Sequence, residues 1–291
     1  MIKLEVAHND FVKNLEADGK SKSTIIAYSK DIEQLTDFLS QEGIVLVSEI
    51  ELSRLEKFMK KLANENYTPK SISRKTNAIR TFFKFLHNLG YVKDNVAAYL
   101  KHPKVDIKAP RILTKVEYRA LRDAAKEDFR TYAMIEVLLQ TGLTISELAE
   151  MELGYLDIKG ETGTLFVPKR NNKEARNIPL NKAVIEALRK YLENERPMKE
   201  GTKNVFITKT GNPLLIRNIR STLDRYFKLA GVENAKVNDL RHTFVAHHLA
   251  AGVNLLHLSR IAGHKRISTT ERYLQYIEKV EVTEKTELGV L

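Results

Sequence analysis

The chain has 291 residues, of which 43% are hydrophobic, and it contains no cysteine. This composition excludes disulfides, thiolate metal sites and thiol nucleophiles, and the length is enough for two medium-sized domains or one large domain. The net charge of +11, from 48 Lys and Arg against 37 Asp and Glu, indicates a polyanionic partner or an anionic surface.

The amino terminus does not look like a targeting segment. Its first ten residues, MIKLEVAHND, carry charges where a secretion signal needs an apolar core. No run in the sequence approaches the ~18–20 apolar residues of a membrane span. We therefore predict a cytoplasmic protein that does not enter a membrane.

Helical periodicity dominates the first hundred residues. Apolar residues recur at helical spacing between positions 25 and 39. A second helix is predicted to open at Thr68-Pro69, a capping residue followed by proline at the first helical position, and to end near Asn88 before Gly90.

Basic residues are concentrated on and after this second helix. Between positions 69 and 104 they are Lys70, Arg74, Lys75, Arg80, Lys84, Lys93, Lys101 and Lys104, with Asp94 as the one acid. Such a run is usually an ordinary solvated helix face, but the scarcity of acids favours contact with nucleic acid. We predict DNA contacts from Lys70, Arg74, Lys75, Arg80 and Lys84, and from Lys173 later in the chain.

Residues 102–112, HPKVDIKAPRI, contain two prolines and no periodicity, which is typical of a linker. We place the linker at 105–112, between a helical domain at 1–104 and a second domain at 113–291. Helices are predicted at about 114–126 and 129–141. Residues 163–168 and 176–180 read as two strands around the polar turn KRNNKEA, a β-hairpin with a cationic tip.

Three later segments carry chemically active side chains: Lys169 on the hairpin, Asn238 to His242, and Gly263 to Tyr273. Taken singly, each has an ordinary explanation, such as a core tyrosine or a helix-capping histidine. The histidines at 242, 247 and 248 lack the i,i+4 spacing of a helical zinc site, so we predict no metal. The glycines form no phosphate-binding loop or dinucleotide fingerprint, and we predict no cofactor.

Together these segments resemble the tyrosine recombinase (phage integrase) family, close to its short Xer-type members. The stretch SKSTIIAYSKDIEQLTDFL resembles the start of the family's core-binding domain, and PRILTKVEYRAL the entry to its catalytic domain. The stretch QTGLTISELAEMEL is similar to the first catalytic box, and LRHTFVAHHLAAGVNLLHLSRIAGHKRISTTERYL to the second.

The resemblance implies a mainly α-helical fold with a small β-sheet, arranged as a two-domain C-shaped clamp on double-stranded DNA. It also implies a homo-tetramer on paired sites, held by exchange of C-terminal segments. Residues 277–291 could supply that segment or could be a frayed tail.

The resemblance further implies a site-specific recombinase, in which Tyr273 attacks a phosphodiester to give a 3′-phosphotyrosyl link and a free 5′-hydroxyl. Without a metal, cationic side chains must stabilise the charge on the phosphate. Arg241 and His264 are then expected to bind that phosphate, and Lys169 to protonate the leaving 5′-oxygen. Lys173 is the alternative, because this hairpin turn is longer than in close relatives.

Two positions depart from the family pattern. The first box has TGLTISEL where the family has TGLRxSEL, so Thr144 replaces a catalytic arginine, and Asn238 stands where the second box usually begins with histidine or lysine. Losing one such phosphate contact is expected to reduce the rate by about 10²–10³-fold. Three explanations stay open: the protein is slow, another cation such as Arg170 or Arg176 compensates, or the chain binds DNA without recombining it. A topoisomerase-like nicking enzyme would use the same residues.

Overall fold

A computed structural model of the protein describes residues 1–106, 108–170 and 173–277. These residues form two compact units, Met1–Lys108 and a second unit that begins at Ala109, each with its own hydrophobic core. The described residues contain no helix that is long and apolar enough to cross a membrane. Most of the structure is helical, with one small sheet, which confirms the predicted fold class.

The first unit consists of four long helices. They are α1 (Leu4–Ala17), α2 (Lys22–Gln41), α3 (Leu52–Asn64) and α4 (Pro69–Asn88). The Thr68 hydroxyl accepts a hydrogen bond from the Ser71 N–H, so α4 begins at Pro69 as predicted. The helices meet around buried aromatic rings, among them Phe11 and Phe82, whose centroids are 5.2 Å apart.

The basic residues of α4 do not all face solvent, which corrects one prediction. Lys75 is only 5% exposed, and its ammonium donates to Asp31 at 2.8 Å and to Gln34 at 2.6 Å. Arg74 also pairs with Asp31, which is itself 1% exposed. Lys75 is therefore a structural residue that neutralises a buried carboxylate, and it is withdrawn from the predicted set of DNA contacts.

The second unit contains eight helices within the described range, a sheet of three strands and short 3₁₀ turns. The helices are α5 (Lys115–Ala125), α6 (Phe129–Thr141), α7 (Ile145–Ala149), α8 (Lys182–Asn194), α9 (Ile216–Leu229), α10 (Val237–Ala250), α11 (Leu255–Ala262) and α12 (Ser268–Glu271). The strands are β1 (Leu156–Lys159), β2 (Thr162–Val167) and β3 (Arg176–Leu180), in the antiparallel order β1-β2-β3. Helices α5 and α6 and the β2–β3 hairpin confirm the sequence predictions.

Strand β1 is absent from those predictions. It pairs Lys159 with Thr162 across the two-residue turn Gly160-Glu161, where Gly160 has φ +60°. A glycine in the first position of a two-residue loop is a hairpin signal. The strand has only four residues and alternates partly buried with exposed side chains, so its apolar pattern is weak.

Helix α6 is buried in the second unit, and its end positions the next helix, α7. Its residues from Ala133 to Thr141 are all buried. Gly142 ends the helix with φ +64°, and a Cβ added there would clash with the Phe244 ring of α10. Glycine is required for this close approach, which brings the start of α7 next to α10.

Candidate functional site

Tyr273 lies in a 3₁₀ turn at Arg272–Gln275 that packs against α10. Its side chain is buried, at 5% exposure, and its hydroxyl lies 2.5 Å from Nδ1 of His242. Burial raises the pKa of Tyr273, although the positive charges of Arg241 and Arg272 oppose the shift. At neutral pH the tyrosine is thus a phenol, and its O–H can donate a hydrogen bond to the imidazole.

His242 and Arg241 are consecutive residues of α10. Burial lowers the pKa of His242, and the charge of Arg241 adds to the effect while Asp239 opposes it. The imidazole is therefore neutral and can accept at Nδ1. Arg241 is 8% exposed, and its Nη1 donates to the Gly142 carbonyl at the end of α6.

Thr144 caps α7 instead of placing a cation in the site. Its hydroxyl donates to Glu147 Oε2 at 2.8 Å, its N–H donates to the same oxygen at 2.8 Å, and its Oγ1 accepts from the Glu147 N–H. This is a capping box, in which residues three apart satisfy each other's free groups at a helix start.

The other oxygen of Glu147 binds two cations from the hairpin. Arg176 Nη1 donates to Oε1 at 2.9 Å, and Lys173 Nζ lies 3.3 Å from the same atom. Burial by itself would raise the pKa of Glu147, but Arg176, the Thr144 N–H and Lys173 outweigh it and lower the pKa to about 2. Glu147 is therefore ionised and holds the hairpin against α7.

Arg176 is the first residue of β3, and its side chain points inward. Alternation along the strand places it on the same face as Ile178 and Leu180, which are buried. Its Nε donates to the Ile261 carbonyl at 2.7 Å, and its guanidinium packs against Gly263. A Cβ at Gly263 would lie 2.7 Å from the Arg176 Cζ, so the guanidinium would have to move away from its present position.

The three other basic residues of the hairpin have different surroundings. Lys173 is 27% exposed, and burial lowers its pKa, although the charge of Glu147 opposes the shift. Lys169 is 67% exposed and pairs with Glu174 at 3.2 Å. Arg170 pairs with Glu150 on the surface. Of the two candidate lysines, the structure brings Lys173 and not Lys169 next to the buried residues.

His264 follows α11 and lies with the charged residues around Glu147 and Arg241. Its Nδ1 lies 2.7 Å from the Thr270 hydroxyl. Burial lowers its pKa to about 3, with further lowering by Arg241, Lys173, Arg176 and His242, so the ring is neutral and can donate one N–H to a ligand. We call the assembled residues the central cluster: Glu147, Lys173, Arg176, Arg241, His242, His264 and Tyr273.

The remaining predicted site residues lie outside the central cluster. Asn238 is exposed near the start of α10, one turn before Arg241. On α4, Lys70 and Lys84 are exposed, whereas Arg80 donates to the carbonyl groups of Ala98 and Leu100. The predicted C-terminal exchange segment lies outside the described residues, apart from Ile277.

Sequence reasoning did not identify Glu147 or His242 as site residues. It named Arg176 and Arg170 as possible compensating cations but did not choose between them. The signal for Glu147 is the T-x-x-E pattern that starts at Thr144. The signal for Arg176 is the alternation R-N-I-P-L, which places its first side chain on the apolar face. His242 carries no such signal, because its partner is 31 residues later in the sequence.

The central cluster has the chemistry of a phosphate site that works through cations and neutral donors. The described part of the chain holds no group of three histidine, cysteine or acidic side chains placed to share a metal ion. The cluster combines two arginines, a lysine and a histidine with a tyrosine whose hydroxyl is hydrogen-bonded to His242. Such an arrangement can bind a phosphodiester and form a covalent bond to it.

Comparisons with known proteins agree with this description. The phage integrase family matches residues 111–279, and the phage integrase N-terminal SAM-like domain matches residues 9–90. The tyrosine recombinase XerC of Natranaerobius thermophilus is 30% identical over 288 residues, which cover 94% of this chain and 95% of the relative.

Solved structures share the fold. A lambda integrase dimer bound to a COC′ core site is similar with a TM-score of 0.77 and 19% identity, over 97% of this chain and all (100%) of the other. A lambda integrase tetramer bound to a Holliday junction is similar with a TM-score of 0.71 and 19% identity, over 92% of this chain and 79% of the other.

Proposed function

The chain belongs to the phage integrase family of tyrosine recombinases, and from this premise we propose how its own residues cut and rejoin duplex DNA. The observation that carries the proposal is the hydrogen bond between Tyr273 and His242, made beside Arg241 and within the charged central cluster. In this proposal residues 1–104 are the core-binding domain and residues 113–291 the catalytic domain, joined by a linker at 105–112.

The proposed reaction is a transesterification in which every proton has a source and a destination. The Tyr273 oxygen attacks the scissile phosphorus while its proton passes to His242 Nδ1. The bond from phosphorus to the 5′-oxygen breaks, and the Lys173 ammonium protonates that oxygen. The products are a 3′-phosphotyrosyl link and a free 5′-hydroxyl, and attack by a 5′-hydroxyl on the link reverses the step.

Arg241 and His264 stabilise the phosphate in this scheme. Arg241 supplies a fixed positive charge and His264 a neutral N–H, so that the negative charge that grows on the phosphate oxygens meets preorganised donors. Lys173 suits the role of proton donor because Glu147 holds it in the central cluster and burial lowers its pKa, although the charge of Glu147 opposes that shift. The reaction needs no cofactor.

The wider setting is proposed by analogy with similar proteins. One lambda integrase structure is a dimer bound to a COC′ core site, and another is a tetramer bound to a Holliday junction. We propose that this chain likewise binds double-stranded DNA in the cytoplasm and works as a homo-tetramer on paired sites. Exchange of C-terminal segments would link the subunits.

The experiment that tests the proposed function is the trapping of a covalent protein–DNA adduct. A nicked suicide substrate loses a short fragment on cleavage, so that the phosphotyrosyl link cannot be resealed. We expect the full chain to form an adduct that survives denaturing electrophoresis. A cognate substrate that is bound but yields no adduct would contradict the proposed chemistry.

The proton donor and the proton acceptor can be distinguished with a substrate whose 5′-bridging oxygen is replaced by sulfur. A thiolate leaves without being protonated. On the ordinary substrate we expect Lys173→Ala and His242→Ala each to slow single-turnover cleavage by about 10²–10⁴-fold. On the sulfur substrate Lys173→Ala should recover to near the wild-type rate, whereas His242→Ala should stay slow.

Lys169→Ala is the matched control for this experiment, because Lys169 lies on the same hairpin but is exposed and paired with Glu174. It should behave as wild type on both substrates. Sulfur rescue of Lys169→Ala in place of Lys173→Ala would assign the proton donor to Lys169. Rescue of His242→Ala would remove His242 as the proton acceptor.

DNA affinity should depend on the exposed lysines of α4. The double substitution Lys70→Glu with Lys84→Glu is expected to weaken duplex binding and to reduce the slope of log affinity against log salt by about two, one for each lost phosphate contact. Fluorescence anisotropy at several salt concentrations measures both quantities. The control is Lys13→Glu with Lys20→Glu, the same charge change on two exposed residues in and after α1. Equal losses in the two variants would show a general charge effect and contradict a DNA-contacting face on α4.

A further inference from the structure

The first catalytic box of this chain lacks the family's arginine. Thr144 occupies the position, and its hydroxyl is committed to the capping box with Glu147. With Arg241 as the one arginine that the family pattern supplies, the phosphate would meet one guanidinium where relatives present two. The structure contains a second guanidinium that binds the same carboxylate as Thr144, and it comes from the hairpin.

Arg176 reaches the neighbourhood of Thr144 through one carboxylate. Thr144 is bonded to one oxygen of Glu147 and Arg176 to the other, at 2.8 Å and 2.9 Å. The charge of Arg176 also acts on the phosphate-binding residues, because it contributes to the lowered pKa values of both Arg241 and His264. Arg176 therefore belongs to the same electrostatic site as the groups assigned to the phosphate.

The hydrogen bonds of Arg176 leave one end of the guanidinium without an acceptor. Nε donates to Ile261 and Nη1 to Glu147, while Nη2 is buried and has no partner among the described residues. The side chain as a whole is 8% exposed. A buried N–H group without an acceptor is unfavourable and uncommon in native structures. A bound anion would supply the missing acceptor.

Arg170, the other candidate cation, is excluded by its surroundings. Its side chain is 42% exposed and forms a surface ion pair with Glu150. The two arginines thus have the same charge and the same hairpin, but only Arg176 faces the site.

We propose that Arg176 binds the scissile phosphate in place of the missing first-box arginine, with its free Nη2 as the donor. This inference rests on the proposed function and names a further residue of that site. Glu147 and the Ile261 carbonyl fix the guanidinium plane, and Gly263 leaves room for it. The positive charge is thereby kept while its position in the sequence moves from residue 144 to residue 176.

The test compares two nicked substrates, one with a normal scissile phosphate and one with a methylphosphonate. In the methylphosphonate a methyl group replaces a non-bridging oxygen, so the transition state carries one negative charge fewer and needs one cation fewer. On the phosphate we expect Arg176→Ala to slow single-turnover cleavage by about 10²–10³-fold. On the methylphosphonate the loss should be less than about tenfold.

The matched control is Arg170→Ala, which should cleave both substrates as wild type does. Equal losses for Arg176→Ala on both substrates would show that Arg176 only supports the fold and would overturn the inference. If a melting curve shows that Arg176→Ala is unfolded, Arg176→Lys replaces it. Lysine keeps a charge that can pair with Glu147 but lacks the fork-shaped guanidinium. The loss should therefore again be larger on the phosphate than on the methylphosphonate, but smaller than the loss in Arg176→Ala.

A rescue experiment gives an independent answer. Thr144→Arg should restore part of the cleavage rate of Arg176→Ala, whereas in the wild-type background it should give no acceleration because two guanidiniums would crowd Glu147. Acceleration in the wild type without rescue of Arg176→Ala would overturn the proposal. Failure of the wild-type protein to form an adduct would instead contradict the proposed function, so the two failures are distinguishable.

Discussion

Replacing Tyr273 by phenylalanine is expected to abolish the covalent adduct and to leave duplex binding nearly unchanged. The substitution removes the attacking oxygen and keeps the ring that fills the buried turn against α10. The lost hydrogen bond to His242 should lower stability by only about 1 kcal/mol. Denaturing electrophoresis after reaction with the nicked substrate measures the adduct, and anisotropy measures binding.

Tyr276→Phe is the matched control. Tyr276 lies three residues later in the chain and is 36% exposed, so its loss should leave adduct formation intact. If the adduct persisted in Tyr273→Phe and disappeared in Tyr276→Phe, the nucleophile would be Tyr276. Disappearance in both variants, with both folded, would show that the turn as a whole positions the reactive group.

The largest expected effect on stability is at Asp31. Its carboxylate is buried with Lys75 and also binds Arg74. Asp31→Asn would leave the Lys75 ammonium buried without a counterion, at a cost of about 3–5 kcal/mol. Domains of this size have total stabilities of about 5–15 kcal/mol, so the first unit should open much more readily. Amide hydrogen exchange in α2 and α4 measures this opening free energy.

The exposed Asp37, on the same helix, provides the control, and Asp37→Asn should change the exchange rates little. Adding Lys75→Met to Asp31→Asn should restore most of the lost stability, because an apolar side chain replaces the unpaired charge. A double variant as unstable as Asp31→Asn alone would show that the carboxylate acts through Arg74 or another contact.

The helices could be predicted from the sequence because their signals are local. Thr68-Pro69 specifies the start of α4 through a cap and a fixed φ, and both features act within one turn of the helix. The β2–β3 hairpin was predicted for the same reason, since alternation and a polar turn are short-range patterns. Strand β1 escaped prediction because four residues give too few alternations to stand out.

The errors and omissions arose where contacts are distant in sequence. The pattern of α4 shows a cationic face, but it cannot show that Asp31, 44 residues earlier, draws Lys75 into the interior. In the site, resemblance to the family led to Tyr273, Arg241 and His264, which lie together in the structure. The roles of Glu147 and His242 depend on contacts between separate elements, and no single segment contains that information.

The close approach of Gly263 to Arg176 has a consequence for how such a site can evolve. Under the proposed role of Arg176, the effects of residues 144, 176 and 263 on fitness depend on one another. A side chain at 263 would displace the Arg176 guanidinium from its present position, and an arginine at 144 is expected to be beneficial only when residue 176 is small. A lineage that moved its guanidinium from one position to the other would pass through an intermediate with either two crowded charges or one too few. Such epistasis makes the exchange difficult to reverse, because returning to the ancestral arrangement crosses the same less active intermediate.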